Sequence, residues 1–161
     1  MLVSDYNQCV DIHADALYRF IAHAMRNRDL AQDVVQEAFT RLWEKRSEVE
    51  ASKAKSYLFT TGYRCMIDLI RKEKKQADVD MESHAAPSIQ NDHGDLNDLL
   101  HEALQRLPEM QRSVVLLRDY EGYSYEEIGD ICSLSESQVK VYIFRARKTL
   151  KEYLVNPAII L

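Results

Sequence analysis

Glycine and proline are scarce in this chain, at 4 and 3 residues of 161. Sandwiches and barrels reverse direction after every strand and use those residues to do it, so both folds are excluded. Cysteine is equally sparse. Cys9, Cys65 and Cys132 are odd in number, far apart and without CxxC spacing, which excludes a disulfide framework or zinc ribbon and fits a reducing cytoplasm. No apolar run approaches the roughly 20 residues that span a bilayer. Residues 1–15 carry Asp5, Asp11 and Asp15 where a signal peptide needs a basic start and an apolar core, so neither secretion nor membrane insertion is expected. His13, His23, His84, His93 and His101 show no metal-ligand spacing, and there is no Gly-rich phosphate loop. The chain is therefore not expected to be an enzyme, to need a cofactor or metal, or to take a small-molecule substrate.

What remains is 46% apolar and 29% charged residues, rich in Leu, Ala, Glu, Arg and Lys. That composition favours long helices, and an all-α protein is the expectation. The formal charge of −5 conceals a pattern. Residues 51–76 hold seven basic and two acidic side chains, residues 131–161 hold five and two, and residues 77–130 between them hold three and thirteen. Attraction to phosphate is screened over about 10 Å, so nucleic-acid binding requires a local positive face rather than a positive total. Each basic block is a candidate for that face, the alternative being a solvated helix surface.

Apolar residues recur at helical spacing from Asp15 to Glu44, with a break at Asn27–Asp29 and Asp29 as the candidate cap of the second helix. A polar loop over Ser47–Lys55 precedes a third helix from about Ser56 to Lys75. The segment 77–95 has few large apolar residues and many acids, and reads as a flexible linker between domains at 1–76 and 96–161. Beyond it, helices are expected near Leu96–Arg106, Pro108–Tyr120, Ser124–Cys132 and Ser135–Tyr153. Ser124 with Glu127 and Ser135 with Gln138 form two capping boxes that enclose a two-turn helix and a tight corner, the outline of a helix-turn-helix. Ile128, Ile131, Leu134, Val139 and Ile143 would fill its core, leaving Lys140, Phe144, Arg145 and Lys148 outside it.

Three stretches carry a resemblance: DLAQDVVQEAFTRLW (Asp29–Trp43), SYLFTTGYRCMIDLIRKEKK (Ser56–Lys75) and the region Leu104–Leu150 around SYEEIGDICSLSESQVKVYIFRARKTL. Their order and spacing resemble the extracytoplasmic-function (ECF) sigma factors, small promoter-recognition subunits of bacterial RNA polymerase within the sigma-70 superfamily. The resemblance implies that 1–76 is region 2, which reads the minus-ten element and melts it. It implies that 96–161 is region 4, which reads the minus-thirty-five element. The implied partners are core RNA polymerase, through the clamp helices of its largest subunit and the flap of the second-largest, promoter DNA, and an anti-sigma factor.

Residue by residue, the resemblance places Asp33, Gln36, Glu37 and Arg41 on the polymerase-binding face. These residues lie three or four apart and can share one helix side, with Phe39 and Trp43 expected in the core. A base is read along its whole edge only after leaving the stack, which calls for aromatic surfaces and cations. Tyr57, Phe59 and Tyr63 are candidates for stacking, and Arg64, Arg71, Lys72, Lys74 and Lys75 for the backbone. In the family a Trp commonly stands at Tyr57 and an Asn at Arg64. In the major groove the candidates are Ser135, Ser137, Gln138, Lys140, Tyr142, Phe144 and Arg145, with Arg147, Lys148 and Lys151 toward phosphate or solvent. Ser133 stands at a corner where the family often has Gly, and Val141 where a polar residue is frequent. A free-standing helix-turn-helix regulator and a sigma-like decoy remain the alternatives, and binding to core polymerase separates them.

Overall fold

The computed structural model describes residues 1–79 and 95–155, with side chains omitted at 78–79 and 95–97. Most of the expected linker (80–94) and the apolar end 156–161 lie outside the described residues. The described residues are all-helical, and the chain divides into two compact units, Met1–Ser88 and Ile89–Leu161. Among the described residues no helix is long and apolar enough to cross a membrane, and no three His, Cys, Asp or Glu side chains are grouped to hold a metal ion.

The first unit contains α1 (Val3–Met25), α2 (Arg28–Glu44), a 3₁₀ turn at Ala51–Lys53 and α3 (Ala54–Val79). Each helix packs on the other two. Leu17, Phe20 and Ile21 of α1, Val34, Ala38 and Leu42 of α2, and Leu58, Phe59 and Met66 of α3 make the buried core. Two helix ends differ from expectation. Arg26 takes a left-handed conformation at φ 56° and closes α1, so the extended residue that follows, Asn27, becomes the cap of α2 in place of Asp29. Asn27 Oδ1 accepts from the Leu30 N–H at 3.1 Å. α3 also continues past Lys75 to Val79, because Gln76 and Ala77 offer no helix breaker.

The second unit contains α4 (Asp95–Arg106), α5 (Glu109–Val115), α6 (Tyr125–Cys132) and α7 (Glu136–Val155). Pro108 sits at the N-cap of α5, one position before the first turn where sequence placed it. α5 then widens into a π-helical turn, Leu116–Tyr120, where the Glu121 N–H reaches back five residues to Leu116 O at 3.1 Å. Gly122, at φ 75°, supplies the left-handed residue that leads out of it. Val114, Val115 and Leu117 pack with Ile128, Ile131, Val139, Ile143 and Ala146 in the buried set of this unit. The Tyr153 hydroxyl donates to Glu102 Oε2 at 3.0 Å and ties the end of α7 to α4.

Candidate nucleic-acid interface

The corner between α6 and α7 is built by local hydrogen bonds. Ser124 Oγ accepts from the Glu127 N–H at 3.1 Å while Glu127 Oε1 accepts from the Ser124 N–H at 3.1 Å, fixing the start of α6. Eight residues later the helix stops, because Ser133 turns left-handed at φ 58° and its N–H bonds to Gly129 O. The Leu134 N–H also donates to Gly129 O at 2.9 Å. A Cβ on Gly129 would lie 2.7 Å from Leu134 O, so only glycine lets the corner close this tightly. A second reciprocal pair then starts α7: the Ser135 N–H donates to Gln138 Oε1 at 2.9 Å, and the Gln138 N–H donates to Ser135 Oγ at 3.2 Å. Ser135 and Gln138, expected at DNA, thus each commit one acceptor site to holding the helix start and keep their side-chain donors for a partner.

α7 divides cleanly by burial. Val139, Ile143 and Ala146 are buried, whereas Ser137, Lys140, Phe144 and Arg145 are exposed and Tyr142 is half-buried. This exposed side follows the corner as a recognition helix does. Beside it runs a groove of about 660 Å³ lined by Tyr125, Ile143, Phe144, Lys140, Arg147, Lys148 and Lys151. Tyr125, which sequence reasoning missed, forms one wall. The Arg118 guanidinium lies 4.6 Å from its ring centre and the Lys140 ammonium 5.6 Å, a double cation–π contact. Lys140 is also paired with Glu136 at 3.6 Å, one turn away. The only sequence signal for Tyr125 is its place as first residue of a capped helix. Arg147, expected toward phosphate or solvent, instead meets Asp119 of the π-helical turn through two hydrogen bonds, which raise its pKa.

In the first unit, Tyr57, Arg64 and Arg71 recur every seven residues along α3 and share one side of it. Tyr57 is half-buried; Arg64, Arg71, Lys72, Lys74 and Lys75 are all exposed. Tyr63 corrects the sequence reading. It is 5% exposed, lies four residues from fully buried Phe59 and three from Met66, and so belongs to the core stripe with Phe59. Neither ring offers a stacking surface. Phe59 instead packs against Phe20 with ring centres 6.0 Å apart.

On α2, Asp33, Gln36, Glu37 and Arg41 are exposed, as their spacing implied. Arg41 Nε donates to Glu37 Oε1 at 2.9 Å, and that bond is the main cause of the raised Arg41 pKa. Phe39 is buried, but Trp43 is not the core residue expected: it is 37% exposed. The Arg46 guanidinium covers its ring at 4.0 Å, and Tyr6 meets it edge-on at 4.9 Å. The Tyr6 hydroxyl donates to Phe39 O at 3.0 Å, and the Met1 ammonium donates to Arg46 O. The sequence reading of α1 began at Asp15 and so missed this clasp.

Family comparison agrees with this geometry. Residues 9–76 match the family described as Sigma-70 region 2, and residues 97–150 match Sigma-70, region 4. The chain is 32% identical over 145 residues to the RNA polymerase sigma factor SigV of Bacillus subtilis, covering 89% of this chain and 87% of the relative. It is 27% identical to the ECF RNA polymerase sigma factor SigM of the same organism, with 90% and 92% covered. In structure it resembles the sigma factor RpoE from Bartonella quintana, solved with the anti-sigma factor NepR: the TM-score is 0.80 and identity 30%, over 96% of this chain and 99% of that one. These relatives are sigma factors, which are not enzymes. The chain belongs to the extracytoplasmic-function family of RNA polymerase sigma factors, the subunits that direct core polymerase to specific promoters and initiate transcription there.

Proposed function

We propose that the two units divide promoter recognition between them. Residues 96–161 read the minus-thirty-five element as duplex, with α7 in the major groove and Lys140, Phe144 and Arg145 at base edges. Ser137 and Tyr142 flank that face, and the donors of Ser135 and Gln138 serve the backbone. Residues 1–76 bind core polymerase through Asp33, Gln36, Glu37 and Arg41 of α2. They hold the opened minus-ten strand along the Tyr57, Arg64, Arg71 side of α3, with Lys72 and Lys74 beside it. The observation that carries this reading is the face of α7: cations and an exposed aromatic ring over a buried Val139, Ile143 and Ala146 stripe, directly after a left-handed corner.

The polymerase supplies the chemistry, and this chain supplies selection and strand opening in the cytoplasm without a cofactor of its own. Because the RpoE relative is bound by an anti-sigma factor, a protein inhibitor of that class is proposed for this chain as well. Run-off transcription with core bacterial polymerase on a genomic fragment library tests the whole reading. Starts that depend on this protein and share a two-part upstream element are expected. Polymerase binding without new starts would favour a decoy, and duplex binding without polymerase binding a free-standing regulator.

A further inference from the structure

Val141 and Phe144 are the anomaly of the recognition helix. Val141 is 45% exposed and Phe144 68%, and from Glu136 to Glu152 the other exposed residues of α7 are polar or charged. Counted at 3.6 residues per turn, Ser137, Val141, Phe144 and Lys148 occupy the side of α7 opposite buried Val139, Ile143 and Ala146. They are therefore the residues that point farthest from the domain. Lys140, Arg145 and Lys148, all exposed, frame the apolar pair.

That frame decides what covers the pair. An apolar patch awaiting a protein core is depleted of charge at its centre. Here Lys140, Arg145 and Lys148 stand exposed within four residues of it, which suits a polyanion. Neither Val141 nor Phe144 carries a hydrogen-bonding group, so neither reads the donors and acceptors of a base edge. The major groove displays one apolar feature, the C5-methyl group of thymine. Three residues along a helix advance by about 4.5 Å, between one and two base-pair steps, so two apolar side chains at this spacing meet methyl groups on neighbouring base pairs.

We propose that Val141 is a specificity-determining residue of this sigma factor: with Phe144 it selects two neighbouring thymines in the upstream element by contact with their methyl groups. The inference rests on the placement of α7 in the major groove proposed above. Val141 carries no hydrogen-bonding group, so the contact it offers at this outward position of α7 is an apolar one. It does not leave the position silent.

Replacement of thymine by deoxyuridine removes the methyl group and nothing else. With holoenzyme assembled from the full chain and core polymerase, and a promoter taken from the mapped starts, each upstream thymine is replaced singly and holoenzyme occupancy is titrated. Two neighbouring positions are expected to lose about three- to five-fold, as for exposure of one methyl-sized group. Val141→Ser should abolish that sensitivity at one of the two positions and Phe144→Ala at the other. Both side chains are exposed, so each variant is expected to fold, and a thermal melt checks it. Indifference to uracil at every upstream position, an upstream element lacking neighbouring thymines, or unchanged sensitivity in both variants overturns the proposal while leaving promoter recognition intact. Loss of core polymerase binding in Val141→Ser overturns it in favour of a protein partner. Absence of any start that depends on the protein overturns the promoter reading itself, and the methyl contact with it.

Discussion

Arg147 of α7 and Asp119 of the π-helical turn face each other as a two-point ion pair, Nε to Oδ2 at 3.0 Å and Nη2 to Oδ1 at 2.6 Å. The pair joins two elements 28 residues apart and holds the guanidinium at the border of the basic groove. Both side chains are well exposed, at 49% and 37%, so solvent screens the attraction and its contribution to stability is about 0.5 kcal/mol. Its larger consequence is for Arg147, which is committed to Asp119 rather than to phosphate. Asp119→Asn should therefore lower the melting temperature only slightly, and the difference should shrink in concentrated salt. The same variant should steepen the salt dependence of promoter binding by up to about one released counterion, as Arg147 turns to DNA. Promoter titrations at several salt concentrations measure it, and a lower melting temperature with an unchanged slope would show that Arg147 stays off the backbone.

The helix-turn-helix corner makes a harsher prediction at Gly129. Its added Cβ would meet a backbone oxygen, Leu134 O at 2.7 Å, and backbone at a tight corner cannot swing aside as a side-chain tip can. Gly129→Ala gains about 1 kcal/mol of helix propensity and is nonetheless expected to destabilise the protein by about 2 kcal/mol through overpacking. Ser133→Gly acts in the opposite sense. A non-glycine residue at φ 58° is strained, and relief of that strain should raise stability by about 1 kcal/mol. Chemical denaturation of the two variants beside the parent chain checks both signs, and equal effects would show that the corner is looser than its geometry implies.

The helix-turn-helix was legible because its boundaries are local. Ser124–Glu127 and Ser135–Gln138 are reciprocal side-chain to backbone contacts three residues apart, which sequence spacing encodes directly, and the structure forms both. The strain at Ser133 was legible only through the resemblance, since the family often has Gly at that corner. What sequence missed depends on partners far along the chain. Tyr63 and Tyr57 are chemically identical, and only the packing of α1 and α2 on α3 makes one core and leaves the other half-exposed. Trp43 finds its ring partners in Tyr6 and Arg46 at the surface, and Tyr125 finds its own in Arg118 and Lys140. The π-helical turn had no signal, since it is one residue of slack absorbed before Gly122.

Ser113 yields a prediction about stability alone. Its side chain is fully buried in α5, and its Oγ has no hydrogen-bond partner among the described residues. A desolvated hydroxyl without a partner costs about 1–3 kcal/mol. Alanine removes the hydroxyl, suits the helix and leaves only a small gap, so Ser113→Ala should stabilise the protein by about 1 kcal/mol. A calorimetric melt decides it, and a destabilised variant would mean that the hydroxyl bonds a buried water.

His13 gives the fold a pH dependence whose sign can be worked out. It lies half-buried on α1, and its pKa is lowered from the usual 6.5, first by burial and then by the positive charge of Lys55. The folded protein thus holds His13 neutral under conditions where the unfolded chain already protonates it. Below pH 6.5 the unfolded state binds the extra proton, and stability falls with decreasing pH until the lowered folded-state pKa is passed. Above that window the residue contributes no slope. His13→Gln, which has a polar side chain of similar size and no titration, should flatten the stability profile below pH 6.5 and leave it unchanged at pH 8. Lys55→Gln should flatten it only in part, because burial is the larger cause and remains. Denaturant unfolding of the three proteins across that range makes the comparison, and parallel profiles in all three would place the source of any acid sensitivity elsewhere.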